Sequence, residues 1–160
     1  MLRFLPLFLL CVGMGLIYIL ELLARRRQVE EMIRFLRYAR REIRFQSRPI
    51  VDLLNCFESD LPLLSCMETE EPFDLVRSYE LAKKSSLREM FFDSAEWRAT
   101  DELFHVLGSG DGISQEESLR ICEEAFCHAS GVLREKVAHN GKPALVLGVS
   151  TGIVLVLLLI

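Results

Sequence analysis

The sequence predicts an all-α chain: a cytoplasmic helical bundle between an N-terminal and a C-terminal transmembrane helix. Three observations carry this. Uncharged runs of 17 residues occupy positions 4–20 and 144–160. Between them, apolar residues recur at three- and four-residue steps, the period of an amphipathic helix. No stretch alternates polar and apolar residues with the period of two that a strand requires.

A chain of 160 residues has room for one domain. Its hydrophobic content of 51% and mean hydropathy of +0.25 are high, and the excess sits at the two ends. The expected division is an anchor at 1–24, a cytoplasmic α-helical domain at 25–141 and a C-terminal transmembrane helix at 142–160. The net charge of −4 is unevenly spread. From Arg25 to Arg48 nine Arg stand against three Glu, a net +6. From Pro49 to Lys142 nineteen acidic residues stand against nine basic ones, a net −10. That acidic balance repels phosphates, and no nucleic-acid motif interleaves with the arginines, so nucleic acid is not expected as a partner.

The first run, Phe4–Leu20, makes a helix about 26 Å long, near the thickness of the roughly 30 Å hydrocarbon layer. Leu22, Leu23 and Ala24 extend it past Glu21. Pro6 falls in the first turn, where its missing N–H is tolerated. The run ends without the small-residue pattern of a cleavage site, so a retained anchor is expected rather than a signal peptide. Arg25, Arg26 and Arg27 abut it on the inner side. At the other end Lys136 and Lys142 precede the second run, in which twelve of the residues from Ala144 to Ile160 are Leu, Ile or Val. Basic flanks therefore face the middle of the chain from both sides, which places the middle in the cytoplasm and both termini across the membrane. Gly148 and Gly152 form a small-xxx-small pair that lets spans approach closely, within one chain or between copies as a homo-oligomer.

Beyond the first run, Val29, Met32, Ile33, Leu36, Ala39 and Ile43 form an apolar seam, with Phe35, Tyr38 and Phe45 on an adjacent strip. Arg34, Arg37, Arg40, Arg41 and Arg44 keep the remaining face basic. Pro49 ends this helix, because the residue before proline resists the α conformation. Ile50–Phe57 reads as a short apolar helix, and the acidic stretch 58–71 as short pieces broken by Pro62. Phe73–Lys84 reads as a helix with Phe73, Val76, Tyr79 and Leu81 apolar.

Ser86 to Glu89 has the form of a capping box that opens a helix, with Met90, Phe91 and Trp97 turned inward. Thr100 then caps a helix from Asp101 to Leu107, which Gly108 ends. Ser114 to Glu117 is a second capping box. The helix it opens carries Leu119, Cys122, Phe126, Ala129, Leu133 and Val137 along one seam and closes at Asn140-Gly141.

Chemistry is not expected. The Gly-rich turn 108–112 lacks the Lys and Ser/Thr of a phosphate-binding loop, and no strand precedes it. His105, His128 and His139 lie on helices without a nucleophile at catalytic spacing. The five cysteines are Cys11, Cys56, Cys66, Cys122 and Cys127. They match no zinc pattern and read as reduced, mostly buried thiols. No catalytic residue, metal or cofactor is expected. The candidate interaction surface is the arginine face Arg34, Arg37, Arg40, Arg41 and Arg44, offered to an acidic partner or to anionic lipid. The acidic stretch with Glu68, Glu70, Glu71 and Asp74 is a weaker candidate for a basic surface.

Two stretches carry a family resemblance. One is the basic amphipathic helix from Arg25 to Ile43, followed by Pro49 and Leu53. The more specific one is Asp101 to Gly108, then Asp111, Gln115 and Leu119, with the form Leu-Gly-x-x-Asp-x-x-x-Gln. With a hydrophobic run at each end, the chain resembles the stage III sporulation protein AB family. The acidic loop and the fuller Gly-rich turn depart from the pattern. The resemblance implies a helical fold like the cytoplasmic domains of platform proteins in type II secretion and type IV pilus machines. It implies a non-enzymatic role in the channel joining mother cell to forespore, in the mother-cell (outer forespore) membrane. It also implies a cytosolic ATPase, stage III sporulation protein AA, and other channel subunits as partners. Gly108, Asp111 and Gln115 then serve structurally, as a helix stop, a turn and the first turn of the next helix. The other reading is a tether that binds or shapes anionic membranes without a motor partner.

Overall fold

A computed structural model describes residues 5–46, 49–69, 73–109 and 112–158. It is helical, with no strand among the described residues. The elements are α1 (Leu5–Gln46), α2 (Ile50–Cys56), α3 (Pro62–Ser65), α4 (Leu75–Ser86), α5 (Ser94–Ser109) and α6 (Gly112–Leu158). Two compact units emerge. One is Arg27–Ser130, and the other combines Met1–Arg26 with Gly131–Ile160.

The core of the first unit follows the predicted seams. Val29, Met32, Ile33, Leu36 and Ala39 of α1 are buried, and Phe35 from the adjacent strip joins them. Tyr38 is half-buried and Phe45 is 75% exposed, so the strip is covered only in part. On α6, Leu119, Cys122 and Phe126 are buried. Leu53, Leu61, Leu63, Tyr79, Leu103 and Phe104 complete this interior. Burial of each such Leu or Phe stabilises the fold by about 1.5–3 kcal/mol before the cost of ordering it. Aromatic pairs fix the layers: Phe57 meets Phe35 edge-on at 5.4 Å, Phe92 meets Phe126 at 5.2 Å, and Tyr79 stacks on Phe104 at 4.5 Å.

Several helix boundaries differ from the sequence expectation. Ser86 does not open a helix. It closes α4, and its carbonyl accepts from the Glu89 and Met90 N–H groups. The capping box lies further on: the Asp93 Oδ1 accepts from Ala95 and Glu96 N–H, and the Glu96 carboxylate accepts from Asp93 N–H at 2.8 Å. Phe92 rather than Phe91 therefore turns inward. Thr100 lies inside α5, buried, with its hydroxyl donating to the Glu96 carbonyl four residues back. On α4 the buried face is Leu75, Ser78, Tyr79 and Ala82, while Leu81 is exposed. Asp74 caps this helix by accepting from Arg77 N–H.

The helix expected to stop at Asn140-Gly141 does not stop: α6 continues through Pro143 to Leu158. A proline removes one backbone bond at a cost of about 3 kcal/mol. Helix of several turns on both sides keeps the remaining ladder, so the break stays local. At its start α6 begins two residues before the predicted cap, at Gly112. The cysteines also differ from expectation. Cys122 is buried, Cys127 is half-buried, and Cys56 and Cys66 are exposed; all four are free thiols.

In the second unit, Met14, Leu16, Ile17, Tyr18, Leu20 and Leu23 of α1 are exposed, as are Val146, Ile153 and Val154 of α6. Among the described residues no helix is long and apolar enough to cross a membrane. Residues 1–4 and 159–160, which belong to the two predicted spans, lie outside the described residues.

Candidate functional site

The arginine face of α1 is not uniform. Arg34 pairs with Glu31 one turn back at 3.0 Å. Arg37 and Arg40 turn toward α6. The Arg37 Nε donates to Glu123 Oε1 at 2.8 Å, and its Nη2 lies 3.7 Å from the Cys127 sulfur. The Arg40 Nη1 donates to the other Glu123 oxygen at 3.3 Å, and its Nε lies 3.9 Å from Glu116. One carboxylate thus bridges two guanidiniums, and its side chain is largely covered. The hydrogen bond from Arg37 to Glu123 pushes the guanidinium pKa up, so this charge stays fixed.

Arg41 and Arg44 are less engaged. Arg41 lies 3.6 Å from its neighbour Glu42 and 5.9 Å from the Tyr38 ring. Arg44 lies 5.8 Å from the Phe45 ring. Arg37, Arg40, Arg41, Arg44, Phe45 and Glu123 line an open groove of about 320 Å³. Glu123 neutralises its inner end, while the outer end offers two guanidiniums and an exposed aromatic ring. Guanidiniums match carboxylates with two parallel hydrogen bonds, and an aromatic ring beside them adds apolar contact area. Arg and aromatic residues are also the types that dominate binding energy at protein interfaces. The chemistry on offer is recognition of an anionic group.

The other positions singled out in the sequence fall elsewhere. Gly108 lies in the last turn of α5, which runs one residue further to Ser109. Asp111 lies outside the described residues. Gln115, in the first turn of α6, donates from Nε2 to the Leu107 carbonyl at 3.3 Å. It so satisfies one of the carbonyls that the end of α5 leaves without a helical partner. Gly148 and Gly152 lie on the helical backbone of α6, and their packing lies outside the described residues. Among the described residues no group of three or more His, Cys, Asp or Glu could hold a metal ion.

Two polar arrangements escaped the sequence reading. Asp101 on α5 accepts from the Tyr79 hydroxyl and from Lys83 Nζ at 2.6 Å, both on α4. The Lys83 ammonium also lies 5.1 Å from the Trp97 ring. The Tyr79–Lys83 spacing of four was visible, but nothing local pointed to Asp101. The second is Gln28 on α1. Its Nε2 donates to the Glu89 carbonyl at 2.6 Å and its Oε1 accepts from Phe91 N–H at 2.8 Å. A lone amide in a stretch of charged and apolar residues was the one available signal.

The family model described as stage III sporulation protein AB matches residues 2–160. No curated protein and no solved structure matches the chain. With a family model covering the chain from its second residue to its last, this protein belongs to the stage III sporulation protein AB family, and its role lies in sporulation.

Proposed function

We propose that the chain is a non-enzymatic platform subunit. It is anchored at both ends in the mother-cell membrane around the forespore, with its helical middle in the cytoplasm. There it holds a cytosolic ATPase, the family's stage III sporulation protein AA, at the channel. The anchoring reading is supported by the two uncharged runs, by the basic flanks that face the middle, and by the exposed apolar residues on the outer halves of α1 and α6. Gly148 and Gly152 fit pairing of spans between copies.

The observation that carries the docking reading is the outer end of the groove, where Arg41 and Arg44 flank the exposed Phe45. Guanidiniums beside an exposed aromatic ring are the residue types that dominate binding energy at protein interfaces, which favours an acidic protein surface over a lipid headgroup here.

The test is co-purification of the full-length chain in detergent with the ATPase. Each charge-assisted hydrogen bond lost from an interface costs about 1.5–3 kcal/mol, roughly tenfold or more in affinity. The double substitution Arg41→Glu and Arg44→Glu should therefore abolish capture at micromolar concentrations. Arg34→Glu, which does not line the groove, should leave it unchanged. Equal capture by all three proteins would remove the groove as the docking site.

A further inference from the structure

Between α5 and α6 the surface opens into a cavity of about 230 Å³. Ala99, Glu102, Leu103 and Val106 of α5 line it, at the spacing of a single helix face. Ser118, Ile121 and Cys122 of α6 line it from the other side. Leu103 and Cys122 are buried, whereas Ile121 is 53% exposed and Ala125, one turn further on, is exposed as well. Ala99 and Ser118 are too short to close the space, so the face carries a projecting apolar side chain beside an unfilled hole. Both lack the close contacts that an apolar side chain and a packed interior ordinarily have.

Charge decides what covers this face. Arg98 and Glu102 stand one turn apart on α5, and both are exposed. Among the described residues neither makes an ion pair or a hydrogen bond. Arginine four residues before glutamate is the weaker order for a pair within one helix. On α6, by contrast, Arg120 is held by Glu117 at 2.6 Å and by Glu124. An acidic partner laid on the groove would meet Glu102 as well as Arg98, and a basic one Arg98 as well as Glu102. A second copy of the same face fits both. About a two-fold axis, a contact from one residue to another is matched by the reverse contact. Arg98 of one copy then meets Glu102 of the other, twice, and the Ile121 of each enters the cavity of its counterpart.

We propose that the α5–α6 face around Ile121, Arg98 and Glu102 is a two-fold interface between copies of this chain. It is separate from the arginine groove. Glu123, which bonds Arg37 and Arg40 of α1, lies two residues from Ile121, about 200° around the helix. Copies joined through Ile121 therefore keep Arg41, Arg44 and Phe45 open, and each pair of subunits presents two such grooves.

The experiment is sedimentation equilibrium of the full-length chain in detergent, comparing the parent with Arg98→Glu, Glu102→Arg and the double variant carrying both changes. These exposed positions leave the fold intact, which urea melts matched to the parent check. The parent should dimerise. Each single reversal sets like charges opposite one another at two places, and should raise the dimer Kd about tenfold or more. The double variant rebuilds both pairs with the signs exchanged and should return close to the parent. Ile121→Ala, which empties the cavity of its counterpart, should also weaken the dimer. One Kd for the parent and all the charge variants, as when the terminal runs alone join the copies or another protein covers the groove, overturns the proposal. So does a parent that stays monomeric, and so does a double variant as weak as the single ones.

Discussion

Asp101 shows how a single carboxylate joins two helices. It takes a proton-donor bond from Tyr79 and another from Lys83, so α5 is tied to α4 at one oxygen. Partial burial works against its charge, yet the bonds from Lys83 and Tyr79 hold its pKa below the ordinary carboxylate range. Its contribution is therefore complete at neutral pH and is lost as pH falls through the folded value. Asp101→Asn should destabilise the fold by about 1–2 kcal/mol at pH 7, the lower part of the usual range because the carboxylate is partly solvated. The loss should shrink as pH is lowered in urea melts. Cys122 behaves in the opposite sense. Burial pushes its thiol up to about 12, and the nearby Glu102 adds to this. Stability that depends on the neutral thiol is complete below the ordinary thiol range and is lost as pH rises toward the folded value. Only a thiolate attacks an alkylating reagent. Native protein treated with iodoacetamide at pH 8 should thus be modified at the exposed Cys56 and Cys66 well before Cys122, as read by peptide mass spectrometry.

At the scale of the element, periodicity was legible and punctuation less so. The seams of α1 and α6 could be read because burial selects apolar residues every three or four positions. Helix ends depend on which of several similar signals the tertiary fold uses. Ser86 to Glu89 and Asp93 to Glu96 both have the form of a cap, and the second is used because Phe92 must turn in against Phe126. Asp93→Ala should cost about 1 kcal/mol in denaturant unfolding, and Glu89→Ala close to nothing. Were Glu89→Ala the costlier change, the helix start would be misplaced. Likewise Asn140-Gly141 reads as a stop, since the sequence alone cannot weigh a local penalty against the helix on either side. Gly131 is an ordinary helical position of α6, where an added Cβ meets nothing within 4 Å. Gly131→Ala should raise stability by about 0.5–1 kcal/mol, visible as a higher urea midpoint.

For the whole molecule, the arginines were legible as a face and not as a site. The sequence places Arg34 with the others, but the fold assigns Arg34 to its own helix and gives Arg37 and Arg40 to Glu123, more than eighty residues away. That long-range pairing leaves Arg41 and Arg44 with Phe45 as the part of the groove on which the proposed docking rests. Glu123→Gln should accordingly strengthen capture of an acidic partner, because it removes the carboxylate that Arg37 and Arg40 share while Arg40 keeps its contact with Glu116; unchanged or weaker affinity would contradict this. The proposed anchors belong to this scale as well: on the reading proposed above, the middle of the chain lies on the cytoplasmic side of a bilayer that holds both ends. Cys56 and Cys66, exposed in that middle, are natural reporters of it. A membrane-impermeant maleimide should leave both unlabelled in sealed right-side-out vesicles and label both in inverted vesicles, with the protein retained after a carbonate wash. Labelling from the outer side, or loss of the chain from the membrane into the wash, would contradict the account.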